Sequence, residues 1–275
     1  MNSTPDTPII PSATVLLVKD IEDDFEIFMV TRHHKIKFAG GALVFPGGKL
    51  DPEDSDEALL AACRGQKGPT GVLTDEDLAF RICGIRETFE EAGVLLARDN
   101  ETADSLSGER GTELAQQYRE ALHGGEITLA EIVQAEGLTL ACDQMIVFAR
   151  WVTPTYFPKR FDTFFFLARV PRDQIASHDD IESTDSLWTT PTDAIADGDE
   201  GRKVVVFATR ANLGKLALSK SVDELIENTL KDEIVIVEPV ITDNDGDITF
   251  RIRDDAGYPL IERTEYGGSV LKVKK

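Results

Sequence analysis

The stretch Arg86–Val94, RETFEEAGV, gathers Glu87, Glu90 and Glu91 within nine positions. At i, i+3 and i+4 on a helix, these carboxylates repel one another unless something positive sits among them. They also converge beside the helix. Their hard oxygens suit magnesium or manganese, which keep several waters and leave positions open to a phosphate. Arg86, four positions before Glu90, is placed to orient a carboxylate. On charge pattern alone a solvated acidic helix is the simpler explanation. The Gly47-Gly48 pair in the preceding loop weighs toward chemistry, because it admits close backbone approach to an ion or phosphate.

The helix that carries these residues is well marked. Thr74 and Asp77 form a capping box. Leu78, Ile82, Ile85, Phe89 and Ala92 make one apolar stripe, and Gly93 is placed to end the helix. The glutamates fall opposite the stripe, so they point outward or into a cleft. Upstream, SATVLLVKD and FEIFMVTR read as two strands around the acidic turn 21–24, and so as a hairpin. A Gly/Pro-rich loop spans 33–56, followed by a short helix over Glu57 to Cys63 and the link RGQKGPTG. Downstream, residues 99–140 have a polar helical pattern. QMIVFARWVT and DTFFFLARV read as strands, and STDSLWTTPTDAIAD as a strand leading into a helix near Pro191. Residues 211–232 read as helices split near Ser219. EIVIVEPV reads as a strand, and 247–263 as a hairpin. Strands and helices mix without a regular βαβ rhythm, which predicts an α+β fold or mixed-sheet sandwich.

Fifty acidic against 29 basic residues give a net charge of -21 over 275 residues. That balance argues against binding nucleic acid or acidic membranes and allows a phosphorylated small molecule only with local cations or divalent ions. No run approaches a membrane span, and no secretory signal is visible, so the expected location is cytoplasmic. Cys63, Cys83 and Cys142 have no zinc-type spacing and read as reduced thiols. A homodimer is kept open as the assembly.

Two basic clusters interrupt the acidity. Arg32, His33, His34, Lys35 and Lys37 form one, read either as a phosphate clamp or as a solvated loop. Lys159 and Arg160 form the other. Arg160 is a candidate to reach a substrate, and Tyr156 or Phe157 to stack on a base, although core packing is the stronger reading for the aromatics. Trp151 and Trp188 read as core or pocket wall. His123 and His178 read as isolated, with no zinc site or catalytic triad. GGALVFPGG fits neither a dinucleotide fingerprint nor a P-loop.

GGKLDPED…RETFEEAGV resembles the signature of the Nudix hydrolases, G-x5-E-x7-R-E-U-x-E-E-x-G-U, where U is bulky and apolar. Arg86, Glu87, Glu90, Glu91, Gly93 and Val94 match, and Thr88 replaces an apolar residue. Counting from Gly48, Asp54 stands in the first glutamate's place. Residues 55–85 separate it from Arg86, 31 positions in place of 7, so 24 are inserted. An interruption of this kind resembles the subgroup of peroxisomal coenzyme A diphosphatases, as do GALVFPGGKLDPED, FRICGIRETFEEAGVLL and RWVTPTYFPKRFDTFFFLA. Gly41 and Phe45-Pro46-Gly47-Gly48 also fit the stretch found upstream in coenzyme A-directed members, with Lys37 at an arginine position.

The resemblance implies a Nudix-type α/β/α sandwich with a mixed sheet over residues 12–200. Insertions would lie at about 55–78 and 99–140, and 201–275 would form a C-terminal helical and β extension packed on the same domain. It implies metal-assisted hydrolysis of a nucleoside diphosphate linked to another group, foremost coenzyme A or acyl-coenzyme A. ADP-ribose or another dinucleotide is the alternative substrate, and a non-catalytic ligand-binding regulator the alternative class. The implied ligands of Mg2+ or Mn2+ are Glu87, Glu90, Glu91 and the Gly47 carbonyl. Glu87 or the distal Glu182 would be the base and Arg86 a further catalytic residue. Arg32, Lys37 and Arg160 would bind substrate.

Overall fold

The computed structural model describes residues 7–33, 40–171, 175–179 and 183–265. Its elements run β1 (Ile9–Asp20), β2 (Phe25–Arg32), β3 (Leu43–Val44), β4 (Gly47–Lys49), α1 (Glu57–Cys63), β5 (Lys67–Gly68), β6 (Gly71–Val72), α2 (Asp75–Ala92) and β7 (Ala97–Asp99). There follow α3 (Gly108–His123), α4 (Leu129–Ala135), β8 (Leu138–Leu140), β9 (Ile146–Val152), β10 (Arg160–Arg169) and β11 (Ser183–Thr189). The chain continues through α5 (Pro191–Asp199), α6 (Phe207–Leu216), α7 (Val222–Lys231), β12 (Ile236–Val237), β13 (Val240–Asn244), β14 (Asp247–Arg251) and β15 (Glu262–Glu265).

The main sheet is mixed, in the order β11-β2-β1-β10-β9-β12, with β3 added on β2 and β4 on β1. β1 runs parallel to β10, pairing Ile9 with Arg160 and Val18 with Arg169. It is antiparallel to β2 at one end and to β4 at the other, where Ser12, Ala13 and Thr14 face Lys49, Gly48 and Gly47. Strand alternation divides the core in two. Ala13, Val15 and Leu17 pack with Leu78, Ile82, Ile85 and Phe89 of α2. Leu16 and Val18 join Phe207, Leu213, Leu216, Leu225 and Phe250 on the other face. The C-terminal residues therefore supply much of the second covering layer, and β12 extends the sheet along β9. The result is an α/β/α sandwich of the α+β class.

α2 keeps its expected ends. Thr74 and Asp77 cap it reciprocally, and Gly93 closes it in the left-handed region at φ 70°. Gly84 is explained by close packing on the sheet: a Cβ there would lie 2.9 Å from Met145 Cε and 3.0 Å from Val15 Cγ2. The expected polar outer face differs. Arg81, Arg86, Thr88 and Glu91 are buried along with the stripe, because α1, α3, β4 and the turn Pro52–Ser55 cover the helix. The inserted residues form α1, the β5–β6 hairpin and about one extra N-terminal turn of α2. EIVIVEPV is not one strand. Only Ile236–Val237 join the sheet edge, and Val240 begins the separate β13-β14-β15 sheet. No helix among the described residues is long and apolar enough to cross a membrane.

Candidate active site

The two halves of the interrupted motif meet in space. Arg86 Nε and Nη2 donate to Asp54 Oδ1 and Oδ2 at 2.8 and 3.0 Å. Both residues are buried. Nη2 also donates to the Lys49 carbonyl at 3.0 Å, while Nη1 donates to Glu87 Oε1 at 2.9 Å and Glu90 Oε1 at 3.2 Å. Asp54 is presented by a one-turn helix whose start it caps, accepting from the Asp51 N–H at 2.8 Å. One guanidinium therefore binds the turn, β4 and the acidic end of α2. Burial acts to strip its proton, but the surrounding carboxylates hold it well above its ordinary value.

The remaining glutamates lie against the glycine pair. Glu91 Oε2 accepts from the Gly47 N–H at 2.9 Å. The Glu87 carboxylate lies where a Cβ on Gly48 would be, so only glycine leaves it room. Gly47 is equally constrained, since a Cβ there would land on the Ala13 carbonyl oxygen. Burial pushes the Glu87 carboxyl up to about 7, against the lowering effect of Arg86, with Glu90 adding to the rise. Burial also raises Glu90, again opposed by Arg86. Glu90 Oε2 lies 3.7 Å from His123 Nδ1 at the end of α3, and the Glu90 carbonyl accepts from Arg119 Nε at 2.7 Å. His123 is thus not isolated, as its sequence context suggested. It reaches the site through the packing of α3 on α2, for which the sequence carries no local signal. Thr88 fills its apolar position completely buried, with its hydroxyl unbonded among the described residues.

Among the described residues no group of three or more His, Cys, Asp or Glu side chains is arranged as a ready-made metal site. The expected convergence of three glutamates is altered by Arg86, which engages Glu87 and Glu90, and by Gly47, whose N–H draws Glu91 aside. In kind, however, the donors fit a hard divalent ion: they are carboxylate oxygens, and two of the acids are buried enough to resist ionisation without added positive charge.

Other expected residues fall elsewhere. Arg160 is buried, with Nε on the Thr153 carbonyl at 2.8 Å and Nη2 on Glu238 at 2.9 Å. Its guanidinium is committed to the protein, so this geometry does not support a direct substrate contact. Phe157 stacks on Phe250, and the Tyr156 hydroxyl donates to Asp243 at 2.9 Å. Trp151 is core, and Trp188 packs against Phe28 and Lys19. His178 Nδ1 lies 3.0 Å from Ser186 Oγ. The three cysteines are free and buried. Lys37 and Glu182, with His34 and Lys35, lie outside the described residues. Asp54 enters the site with backing from the motif, whereas the Lys49 carbonyl, His123 and Arg119 arrive by tertiary packing alone.

Residues 58–204, more than half the chain, match the family model described as the NUDT19 Nudix domain. The chain is 26% identical over 209 residues to the acyl-coenzyme A diphosphatase NUDT19 of Xenopus laevis, covering 63% of this chain and 55% of that one. It is 25% identical over 250 residues to the human protein of the same name, covering 74% and 66%. The chain thus spans between about half and two thirds of the length of these curated relatives. Among solved structures, a Nudix hydrolase from Alicyclobacillus acidocaldarius superposes with a TM-score of 0.63 at 26% identity, over 84% of this chain and 99% of that one. With the interrupted motif reassembled around Arg86, these matches establish that the chain belongs to the Nudix hydrolase family, in the branch of the NUDT19 Nudix domain.

Proposed function

We propose that this protein is a metal-dependent diphosphatase whose substrate is coenzyme A or an acyl-coenzyme A. The observation that carries the reading is the assembly of Asp54, Arg86, Glu87, Glu90 and Glu91 around the Gly47-Gly48 pair of β4. The names of the relatives support the substrate class. Residues 12–200 form the catalytic unit, with 201–275 as an extension packed on it, and the protein works in the cytoplasm on a phosphorylated small molecule.

Glu87, Glu90, Glu91 and the Gly47 carbonyl are the residues to hold Mg2+ or Mn2+. When bound, such an ion neutralises the diphosphate and acidifies a coordinated water. Arg86 positions Glu87 and Glu90 through its Nη1 contacts. Glu87, held against Gly48 and beside Arg86, is the candidate to take a proton from water. Glu182 is the alternative base. Water oxygen bonds to phosphorus, the P–O anhydride bond breaks, and the proton removed from water remains on the base until released. Arg32 and Lys37 contribute positive charge toward the substrate.

The test is a panel of diphosphates, including coenzyme A, acyl-coenzyme A, ADP-ribose and a dinucleotide, assayed with and without magnesium or manganese. Release of phosphopantetheine and adenosine 3′,5′-bisphosphate from coenzyme A is expected. Preferential cleavage of ADP-ribose would replace the substrate, and no cleavage of any member would overturn the catalytic reading.

A further inference from the structure

With 50 acidic and 29 basic residues, most described cations of this protein have an anionic neighbour. Arg64, Arg98, Arg110, Arg150 and Arg169 are each paired with carboxylates. Arg32, Lys49 and Lys159, like Lys67 and Lys220, have no ion pair or side-chain acceptor among the described residues, and these three lie at one end of the main sheet. They share that end of the sheet: antiparallel β2 ends at Arg32 beside the start of β1, Lys49 pairs with Ser12 of β1, and Lys159 precedes Arg160, which pairs with Ile9 of β1. Burial first, then Lys49 and Arg32, act to hold the Lys159 ammonium below its ordinary value.

Their surroundings favour an anion. Arg32 Nε is buried with no hydrogen-bond partner among the described residues, a costly state for a charged donor. Lys159 Nζ lies 4.9 Å from the Phe161 ring centroid, a contact that leaves its N–H donors unused. Lys49 places the cluster beside the catalytic residues, because its carbonyl accepts from Arg86 and its neighbour Gly48 lies against Glu87. Arg160, one residue from Lys159, is neutralised by Glu238 and takes no part. Three unpaired cations repel one another, and a dianion among them converts that repulsion into attraction.

We propose that Arg32, Lys49 and Lys159 form a phosphate-binding subsite that takes a phosphomonoester carried by the substrate, separate from the diphosphate that is cleaved. The glutamates of α2 can face a diphosphate only with divalent ions between them, whereas this cation-only cluster can take a second, uncleaved phosphate directly. The inference rests on the diphosphatase reading for its place in a reaction, but not for its binding. The ligand class is a nucleotide with an extra phosphate on its ribose, and the cluster makes that phosphate a determinant of specificity.

The test is calorimetric titration of the full chain with adenosine 3′,5′-bisphosphate and with adenosine 5′-monophosphate, which needs no turnover. Wild type should bind the bisphosphate at least about tenfold more tightly, a preference of ~1.4 kcal/mol. Lys49→Gln and Lys159→Gln, shown by thermal melting to be folded, should erase most of that preference, and Lys159→Arg should restore it. A wild type without preference, or variants that weaken both nucleotides equally, would overturn the subsite. A chain that keeps the preference but cleaves no coenzyme A retains the subsite while the diphosphatase reading fails. A chain that cleaves coenzyme A without any preference does the reverse.

Discussion

The Arg86 guanidinium grips both oxygens of Asp54 across 32 positions of sequence, at 2.8 and 3.0 Å, as though the residues between them were absent. The insertion loops out as α1 and a small hairpin and lengthens α2 at its N-terminal end, leaving the contact intact. Because the pair is buried, removing one charge leaves the other without its main partner. Asp54→Asn should destabilise the chain by about 3–5 kcal/mol in urea unfolding, the usual cost of breaking a buried pair. Loss below ~1 kcal/mol would mean that Glu87 and Glu90 suffice to hold Arg86.

Gly48→Ala separates catalysis from folding. The added methyl collides with the Glu87 carboxylate, a group at the end of a side chain that can move. The main loss should be in kcat, by about a hundredfold if Glu87 is displaced by an ångström. The melting temperature should change little. Wild-type turnover would show that Glu87 need not lie where it is found.

Without divalent ions, stability should depend on pH through Glu87. Its carboxyl stands at about 7 when folded against 4.5 for the free group. The native chain therefore binds the proton more tightly than the unfolded one. The stabilisation from that proton is complete below about pH 4.5 and is lost as pH rises through 7. Glu90, also raised, acts in the same direction. Thermal melts of wild type and Glu87→Gln should diverge as pH rises through this window, the variant losing less. Added manganese should restore wild type and release protons, seen as buffer-dependent heats near pH 6. Parallel melts at every pH would remove the buried carboxyl from this role.

One of the ties between the C-terminal layer and the sheet is a buried polar chain. Trp151 Nε1 donates to the Tyr258 hydroxyl at 2.8 Å, and that hydroxyl donates to Asn212 Oδ1 at 3.1 Å. Tyr258→Phe leaves both partners unsatisfied and should cost about 1–3 kcal/mol in urea unfolding. Activity per folded molecule should persist, since these groups lie on the face of the sheet opposite α2. A large fall in kcat without loss of stability would instead place residues 201–275 in the reaction.

What was legible in the sequence was local or motif-borne. α2 is announced by its cap, its stripe and Gly93, and the β1–β2 and β14–β15 pairings by alternation around turns. The site appears in RETFEEAGV because helical spacing and the matched motif both point there. Other features depend on tertiary packing. Nothing near His123 signals that α3 will bring it to Glu90, and periodicity cannot reveal that a polar helix face will be buried by a turn and a short strand. Lys49 and Lys159 lie 110 positions apart, and only the order β4-β1-β10 brings them near each other. The apolar run 233–240 predicts one strand, but the chain divides it between a sheet edge and a second sheet.

Glu91→Gln tests the central claim most directly. Glutamine can still accept from the Gly47 N–H, so the fold and this hydrogen bond should survive while the carboxylate charge is lost. The measurement is coenzyme A turnover with saturating manganese, alongside a thermal melt of the same preparation. The predicted result is a loss of kcat of about a thousandfold with a melting temperature close to wild type, consistent with the large effects of removing electrostatic stabilisation from a reacting centre. Turnover near wild type by the folded variant would contradict the assignment of this carboxylate to the catalytic site.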